Sequence, residues 1–157
     1  MSAKKKPVIC FAASSGGHFE QLMMLRPLME KYDSFILTEK TPYNVAPENI
    51  ETYYVKQINR REKSSLLKLT VNFFISLKIF FKKKPTIIVT TGVLGMLPMC
   101  LLMKMFGKKL IYIESYAKVS SPTQTGKLLY KWADRFYVQW EGMLEFYPDA
   151  TFIGGIY

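Results

Sequence analysis

The chain has 157 residues, of which 49% are apolar and 15% aromatic, so one domain with a full hydrophobic core is expected. Lysine and arginine outnumber aspartate and glutamate by 22 to 12, and the net charge of +10 favours an anionic partner: nucleic acid, a phosphate-bearing substrate or an anionic membrane. Two cysteines, Cys10 and Cys100, lie within apolar runs, which indicates buried free thiols in a cytosolic protein and gives no metal site.

The first predicted strand opens the chain. An apolar run from Pro7 to Ala13 follows the basic residues Lys4 to Lys6 and then meets the sequence Ser-Ser-Gly-Gly. A run of about seven residues that ends in this way is typical of a buried strand, not of the apolar region of a secretory signal.

A glycine-rich turn follows this strand and precedes a helix. The turn is Ser14-Ser15-Gly16-Gly17-His18, and leucines recur at helical spacing after it. Glycines let the backbone approach a ligand, and the first helical N–H groups lack intrahelical partners, so the turn favours an anion. The alternative is a tight connection that binds nothing, because the dinucleotide and P-loop glycine patterns are both absent. For His18, the only histidine, a capping or hydrogen-bonding role is as good an interpretation as catalysis.

The next segment continues the alternation of helix and strand. The first helix should fade near Lys31 and be kinked or interrupted by Pro27. A second strand is predicted over Ser34–Thr38 and a third over Thr52–Ile58, with a loop from Lys40 to Glu51 between them.

A long aromatic helix is predicted from Ser64 to Lys84. Between Leu66 and Phe81, 11 of 16 residues are strongly apolar, and the polar residues Lys68, Asn72 and Ser76 share one face. The run is shorter than the roughly 20 residues of a spanning helix. Two interpretations stay open: a helix packed on the sheet with its lysines extended to water, or a surface helix that dips into a membrane. The membrane residues would be Phe73, Phe74, Phe80, Phe81, Lys82, Lys83 and Lys84.

The second half repeats the pattern. The predicted elements are a fourth strand over Thr86–Thr91, a helix over Leu97–Phe106, a fifth strand over Lys109–Ile113, a helix capped by Ser121 and running to about Ala133, a sixth strand over Arg135–Gln139, a short helix over Glu141–Tyr147 and a last short strand over Ala150–Ile153.

This alternation predicts a Rossmann-like α/β fold, a doubly wound parallel sheet of about six strands that spans residues 1–157 as one domain. Ligands of such sheets bind beyond the carboxyl ends of the strands. Three turns should open there: Ser14–His18, Thr91–Gly95 with Thr91 and Gly92, and Glu114-Ser115.

Read together, these motifs resemble a known family. They are Ser14-Ser15-Gly16-Gly17-His18, Thr91-Gly92, Glu114-Ser115, Gly126-Lys127-Leu128-Leu129-Tyr130 and Ala133-Asp134-Arg135-Phe136-Tyr137-Val138-Gln139-Trp140. They look like the membrane-anchoring, acceptor-side subunit of two-component UDP-sugar glycosyltransferases. That family includes the anchor subunit of the dolichyl-diphosphate N-acetylglucosamine transferase and bacterial capsule and exopolysaccharide proteins. The resemblance covers essentially the whole chain.

The resemblance implies the N-terminal half of a GT-B glycosyltransferase, which handles a polyprenyl-diphosphate-linked acceptor. The nucleotide-sugar half would come from a catalytic partner chain, which would bind the UDP-sugar, so this chain is expected to bind no cofactor and to be inactive alone. No metal is expected, since no Asp-x-Asp pair occurs. The eukaryotic anchor begins with a transmembrane helix, whereas six residues precede Pro7 here. Peripheral attachment to the cytoplasmic face of an anionic membrane through residues 64–84 is therefore expected.

Site roles follow from the same resemblance. His18 or Glu114 would act as general base on the acceptor hydroxyl, and Ser14 to Gly17, with Thr91, Gly92 and Ser115, would face the diphosphate or first sugar. The competing interpretation is a scaffold that recruits the catalytic chain to the membrane and has no catalytic group. A nucleic-acid binder is disfavoured, because no recognised RNA or DNA module is present.

Overall fold

Seven strands form one parallel sheet in the computed structural model, which describes residues 6–42, 45–59, 61–92 and 94–157. The strands are β1 (Val8–Ala13), β2 (Asp33–Glu39), β3 (Thr52–Val55), β4 (Ile87–Gly92), β5 (Lys109–Ile113), β6 (Arg135–Val138) and β7 (Thr151–Phe152). Their order is β3-β2-β1-β4-β5-β6-β7, so the winding direction reverses between β1 and β4. The predicted Rossmann-like architecture is confirmed, and the last short strand predicted over Ala150–Ile153 is β7, so the sheet of about six strands has seven.

Helices connect the strands on both faces of the sheet. They are α1 (Gly17–Met23), α2 (Arg26–Lys31), α3 (Ser65–Lys83), α4 (Leu97–Met105) and α5 (Gln124–Leu129), with 3₁₀ turns at Leu94–Met96 and Glu141–Glu145. The interruption predicted at Pro27 occurs, because Pro27 lies in the first turn of α2, where its missing N–H costs nothing.

The end of β3 and both ends of α5 differ from their predicted positions. β3 ends at Val55 instead of Ile58, because the next residue, Lys56, exchanges two hydrogen bonds of 2.8 Å with the side-chain amide of Asn72 on α3. The cap of α5 is Thr123 and not Ser121, since the Thr123 hydroxyl accepts a hydrogen bond of 2.9 Å from Gly126 N–H. That helix ends at Leu129, short of Ala133.

The core has two layers, one on each face of the sheet. Along β1 the side chains alternate: Cys10 and Ala12 join the layer under α3 and α4, whereas Phe11 and Ala13 join the layer under α1. Cys10 and Cys100 are buried free thiols, as predicted. Burial raises the pKa of the Cys100 thiol to about 12 and also raises that of Cys10, so neither is a reactive thiolate near neutral pH.

Helix α3 packs on the sheet with two polar residues facing inward. Asn72 and Ser76 are fully buried, whereas Leu66, Leu67 and Phe74 are exposed by 74%, 69% and 62%. Two hydrogen bonds explain this orientation: Asn72 accepts one from the Lys56 N–H and donates one to the Lys56 carbonyl, so its amide is satisfied in the core. The inward side of α3 therefore carries these two polar residues beside the buried Ile79 and Phe80, and apolar side chains are left at the surface.

Candidate functional site

The turns after β1 and β4 are joined at the reversal point of the sheet. His18 Nδ1 lies 2.9 Å from the carbonyl oxygen of Thr91, and the Thr91 hydroxyl donates a hydrogen bond of 2.9 Å to the carbonyl of His18. These reciprocal bonds fix the imidazole against the backbone at the carboxyl edge of the sheet. The predicted meeting of the first two turns at one edge is therefore observed.

The bond to Thr91 also fixes the tautomer of His18. A carbonyl oxygen only accepts, so Nδ1 carries a proton and the neutral ring presents a lone pair at Nε2. Burial lowers the pKa of His18 below its ordinary value, against the opposing effects of the Thr91 hydrogen bond and the charge of Glu114. The imidazole is thus neutral near pH 7, the form that accepts a proton.

A polar cleft of about 460 Å³ lies beside this imidazole. Its lining residues are His18, Tyr112, Lys118, Pro122, Thr123, Gln124 and Thr125. Lys118 supplies a positive charge to the lining, and no carboxylate among the described residues forms an ion pair with it. A base beside a cation in a hydroxyl-rich cleft suits an anionic ligand that carries a sugar hydroxyl.

The glycine turn contributes backbone to this edge, not side chains. Gly16 has a φ of +73°, and its carbonyl accepts from the N–H groups of Phe19 and Glu20 to start α1. Gly16 and Gly17 are exposed, and no atom lies within 4 Å of where a side chain of either would begin. A ligand can therefore approach this backbone directly.

The two serines of the turn are engaged inside the protein. The hydroxyl of Ser15 donates to Glu39 Oε2 at 3.3 Å, and the hydroxyl of Ser14, which is buried, points toward the Ser15 carbonyl at 3.4 Å. Ser15 thus braces the turn against Glu39 at the end of β2, and neither Ser14 nor Ser15 is among the residues that line the cleft.

Glu114 differs from the prediction in the same way. Its side chain is 1% exposed, and its carboxylate accepts hydrogen bonds from Ser115 N–H at 2.8 Å, Tyr147 hydroxyl at 2.8 Å and Thr123 hydroxyl at 2.9 Å. Burial and the neighbouring Glu114 raise the pKa of Tyr147, which keeps its proton and donates it to the carboxylate. With its oxygens bonded inward and its side chain sealed, Glu114 is a positioning residue and not an accessible base.

Thr91, Gly92 and Ser115 also shape the site from behind. Thr91 and Ser115 are buried, and Gly92 has a φ of +104° with the Tyr112 hydroxyl 2.6 Å from where a Cβ would lie. Only glycine fits there, both for its dihedral and for this contact. These residues hold the turn geometry, while their side chains do not line the cleft.

Sequence reasoning missed Tyr112, Lys118 and Thr123, which line the cleft, and Tyr147, which lies behind it. Thr123 and Tyr147 donate hydrogen bonds to the carboxylate of Glu114, and the Tyr112 hydroxyl is bonded to that of Thr123; these bonds cross 9 or more positions in sequence. The sequence places Lys118 in a polar loop, and the loop gives no signal of where its ammonium points. Among the described residues, no group of histidine, cysteine or carboxylate side chains could hold a metal ion.

The predicted membrane residues divide between the core and the surface. Phe74 and Phe81 are exposed by 62% and 54%, Phe73 is partly buried, and Phe80 is only 5% exposed because it packs in the core. Among the lysines, Lys83 forms an ion pair of 2.6 Å with Glu51, so it is not a free cation for headgroups. Lys82 lies over the ring of Tyr53, and Lys84 ends the helix with a φ of +49°.

No helix among the described residues is both long and apolar enough to cross a bilayer. Helix α3 connects two parallel strands, so it must run from the carboxyl edge of the sheet back to the amino edge. Its 19 residues span about 28 Å at 1.5 Å each. Leu66 therefore lies towards the edge that carries the cleft, Phe74 at the middle of the helix, and Phe81 with Lys82 and Lys84 at the far edge.

The sheet order and the cleft at its reversal point define a Rossmann-like domain of the kind found in each half of a GT-B glycosyltransferase. MurG of Acinetobacter baumannii superposes with a TM-score of 0.67 at 17% identity, over 85% of this chain but 41% of that protein. A UDP-N-acetylglucosamine 2-epimerase from Rickettsia bellii gives 0.73 at 9% identity, over 97% of this chain and 46% of the other. The chain belongs to the family described as "Oligosaccharide biosynthesis protein Alg14 like", which matches residues 9–156.

Curated relatives carry the name UDP-N-acetylglucosamine transferase subunit ALG14. The protein of Yarrowia lipolytica is 28% identical over 94% of this chain and 80% of its own length. The protein of Schizosaccharomyces pombe is 29% identical over 98% of this chain and 86% of its own length. The human protein is 28% identical over 70% of this chain and 57% of its own length. The resemblance predicted from the motifs is therefore confirmed.

Proposed function

We propose that this chain is the acceptor-binding subunit of a heteromeric UDP-sugar glycosyltransferase. The observation that carries the proposal is the cleft at the reversal point, where His18 is held by Thr91 as a neutral base beside Lys118. The names of the relatives as transferase subunits support it, as does a fold that covers 41% of the MurG chain. The nucleotide-sugar half, with the UDP-sugar, is assigned to a catalytic partner chain.

The acceptor is a glycan on a polyprenyl diphosphate, as in the synthesis of capsular polysaccharide, exopolysaccharide or lipid-linked oligosaccharide. His18 Nε2 takes the proton of the acceptor hydroxyl as that oxygen attacks the anomeric carbon of the donor sugar, and UDP leaves on the partner. The exposed backbone of Gly16 and Gly17, together with Lys118, lies beside the acceptor diphosphate. A base must come within about 3 Å of the hydroxyl, which closure of the partner over the cleft would achieve.

The test of this function is reconstitution. The purified chain alone is expected to transfer no sugar from any UDP-sugar to a polyprenyl-diphosphate acceptor, whereas the complex with its partner turns over. Robust transfer by the chain alone, free of partner, would contradict the proposal.

A scaffold without a catalytic group is the second candidate, and the burial of Glu114 favours it, because one of the two predicted bases is sealed from the cleft. The two functions separate in a His18→Ala variant of the complex. If the complex assembles and its turnover is unchanged, the scaffold function holds. If it assembles and turnover collapses, the shared site holds.

Membrane docking through the outer side of α3 forms part of the proposal. The exposed Leu66, Leu67 and Phe74 supply the apolar contact, and Lys78, Lys82 and Lys84 would each add about 1 kcal/mol near an anionic surface. Salt should weaken binding to anionic vesicles without abolishing it, since the apolar part is not screened. In vesicle co-sedimentation at low salt, equal recovery of the protein in the supernatant with and without anionic vesicles would contradict membrane docking through α3.

A further inference from the structure

Two neighbouring cavities extend the cleft of His18 toward the outer side of α3. The first shares Gln124 and Thr125 with the cleft and adds Leu94, Leu97 and Leu128. The second, here called the α3–α4 groove, shares Leu97 with the first. It has a volume of about 280 Å³ and is lined by Leu69, Thr70, Phe73, Phe74, Leu97, Pro98 and Leu101. The three cavities adjoin one another through these shared lining residues, and together they are here called the track.

The chemistry of the track changes from one end to the other. The end at His18 carries an imidazole, the ammonium of Lys118 and the hydroxyl of Thr123. The α3–α4 groove is lined by apolar side chains except for Thr70, whose hydroxyl is bonded to the Leu66 carbonyl of its own helix. A ligand that fills the whole track therefore has an anionic, sugar-bearing head and an apolar tail joined to it.

We propose that the α3–α4 groove holds the first isoprenoid units of the polyprenyl-diphosphate acceptor, whose diphosphate and sugar occupy the cleft. This inference rests on the proposed function and adds a subsite for the tail. A volume of 280 Å³ is near the lower limit of about 300 Å³ for small-molecule pockets, so the groove takes only the part of the tail next to the diphosphate. The exposed Leu66 and Leu67 lie on the same half of α3 and lead the rest of the tail to the bilayer.

The far half of α3 offers a matched control. Phe73 and Phe74 form an edge-on ring pair at 5.7 Å, and Phe80 and Phe81 form another at 5.5 Å, with the second phenylalanine of each pair more than half exposed. Phe74 lines the groove, whereas Phe81 contacts Phe106 edge-on at 5.7 Å near the end of the helix, outside the track. Unspecific adsorption of an apolar chain to exposed rings should depend on Phe74 and Phe81 alike, but a tail subsite should depend on Phe74 alone.

The experiment is a calorimetric titration of the full chain with farnesyl diphosphate and with inorganic pyrophosphate. The wild type should prefer farnesyl diphosphate by at least tenfold. Thr70→Trp places an indole in the groove from an exposed position and should remove that preference while leaving the fold intact, as thermal unfolding would show. Phe74→Ala should weaken farnesyl diphosphate several-fold, and Phe81→Ala should leave it unchanged.

Equal affinity of wild type and Thr70→Trp for farnesyl diphosphate would overturn the inference. Equal losses of farnesyl diphosphate affinity in Phe74→Ala and Phe81→Ala would also overturn it, because they would indicate an unspecific apolar face for bilayer acyl chains or a partner helix. Sugar transfer to a lipid-linked acceptor that is equally fast in Thr70→Trp and wild-type complexes overturns the tail subsite and leaves the proposed function intact. A complex that binds farnesyl diphosphate through the groove yet transfers no sugar to any lipid-linked acceptor overturns the proposed function alone.

Discussion

His18 and Glu114 lie at the same edge of the sheet, and both are titratable groups that the strand pattern brings there. The imidazole lines the cleft with Nδ1 bonded to a carbonyl, and no hydrogen bond of its Nε2 is found in the described part of the chain. The carboxylate is enclosed by donors from Ser115, Thr123 and Tyr147. Topology therefore decides which residues reach the edge, and the donors around each one decide whether it faces the ligand or holds the fold.

Among the changes that test the different roles of His18 and Glu114, replacement of His18 should have the largest effect, on the catalytic rate of the complex. In the complex with the partner chain, His18→Ala should lower kcat by about 10²- to 10⁴-fold, because a positioned general base contributes that much. The free energy of unfolding should fall by only about 1 kcal/mol for the lost bond to Thr91. Steady-state kinetics and denaturant unfolding measure the two. A large loss of stability with little change in kcat would reverse the roles assigned to the two groups.

Replacement of Glu114 should show the opposite pattern. Glu114→Ala leaves the buried N–H of Ser115 and the hydroxyls of Thr123 and Tyr147 without their acceptor, so the free energy of unfolding should fall by about 2–4 kcal/mol. Glu114→Gln retains the shape and one acceptor oxygen and should lose less. Urea unfolding of the isolated chain gives these values. If both variants are as stable as wild type and inactive in the complex, Glu114 acts on the substrate after all.

The packing around the carboxylate can be tested without touching it. A Cβ at Gly126 would overlap with Glu114 Oε2 and lie 2.8 Å from Thr123 Oγ1, so Gly126→Ala should destabilise the chain by about 1–3 kcal/mol. Gly142→Ala is the matched control, since its nearest neighbour, the carbonyl of Val119, is 3.8 Å away. The control should change thermal stability by less than about 0.5 kcal/mol. Equal midpoints of thermal unfolding for the two variants would show that the hydrogen-bond network around Glu114 shifts to accommodate the added methyl group.

The smallest expected effect is the pH dependence of stability that His18 contributes. Burial puts its folded pKa below the value of about 6.5 in the unfolded chain, so between the two values the unfolded state binds more protons. Stability should therefore fall as the pH drops through this window and be constant above it. His18→Gln should flatten the dependence, as followed by urea midpoints from pH 7.5 to 5. If the urea midpoints of wild type and variant change equally with pH, the pH dependence of stability comes from other groups.

The sequence was enough to predict what depends on local patterns. Lys109–Ile113 was predicted to the residue as β5, because a β-branched apolar run bounded by polar residues has one interpretation. The capping residue of α5 could not be read, since Thr123 is selected by the carboxylate of Glu114, nine positions away. The face of α3 that packs inward was hidden for a similar reason: its apolar residues surround the helix, and the contact of Asn72 with Lys56 decides the rotation.

The inward-facing amide of Asn72 has a consequence for handling this protein. Because α3 is held by hydrogen bonds to Lys56 and by the packing of Ile79 and Phe80 in the core, its attachment to the domain depends little on the side chains that point outward. Polar replacement of Leu66 and Leu67 should therefore raise solubility at high concentration without loosening the helix. Replacement of Asn72 by leucine, which looks harmless on a helix this apolar, would leave the N–H and carbonyl of Lys56 without their partner and weaken the attachment of the helix to the sheet.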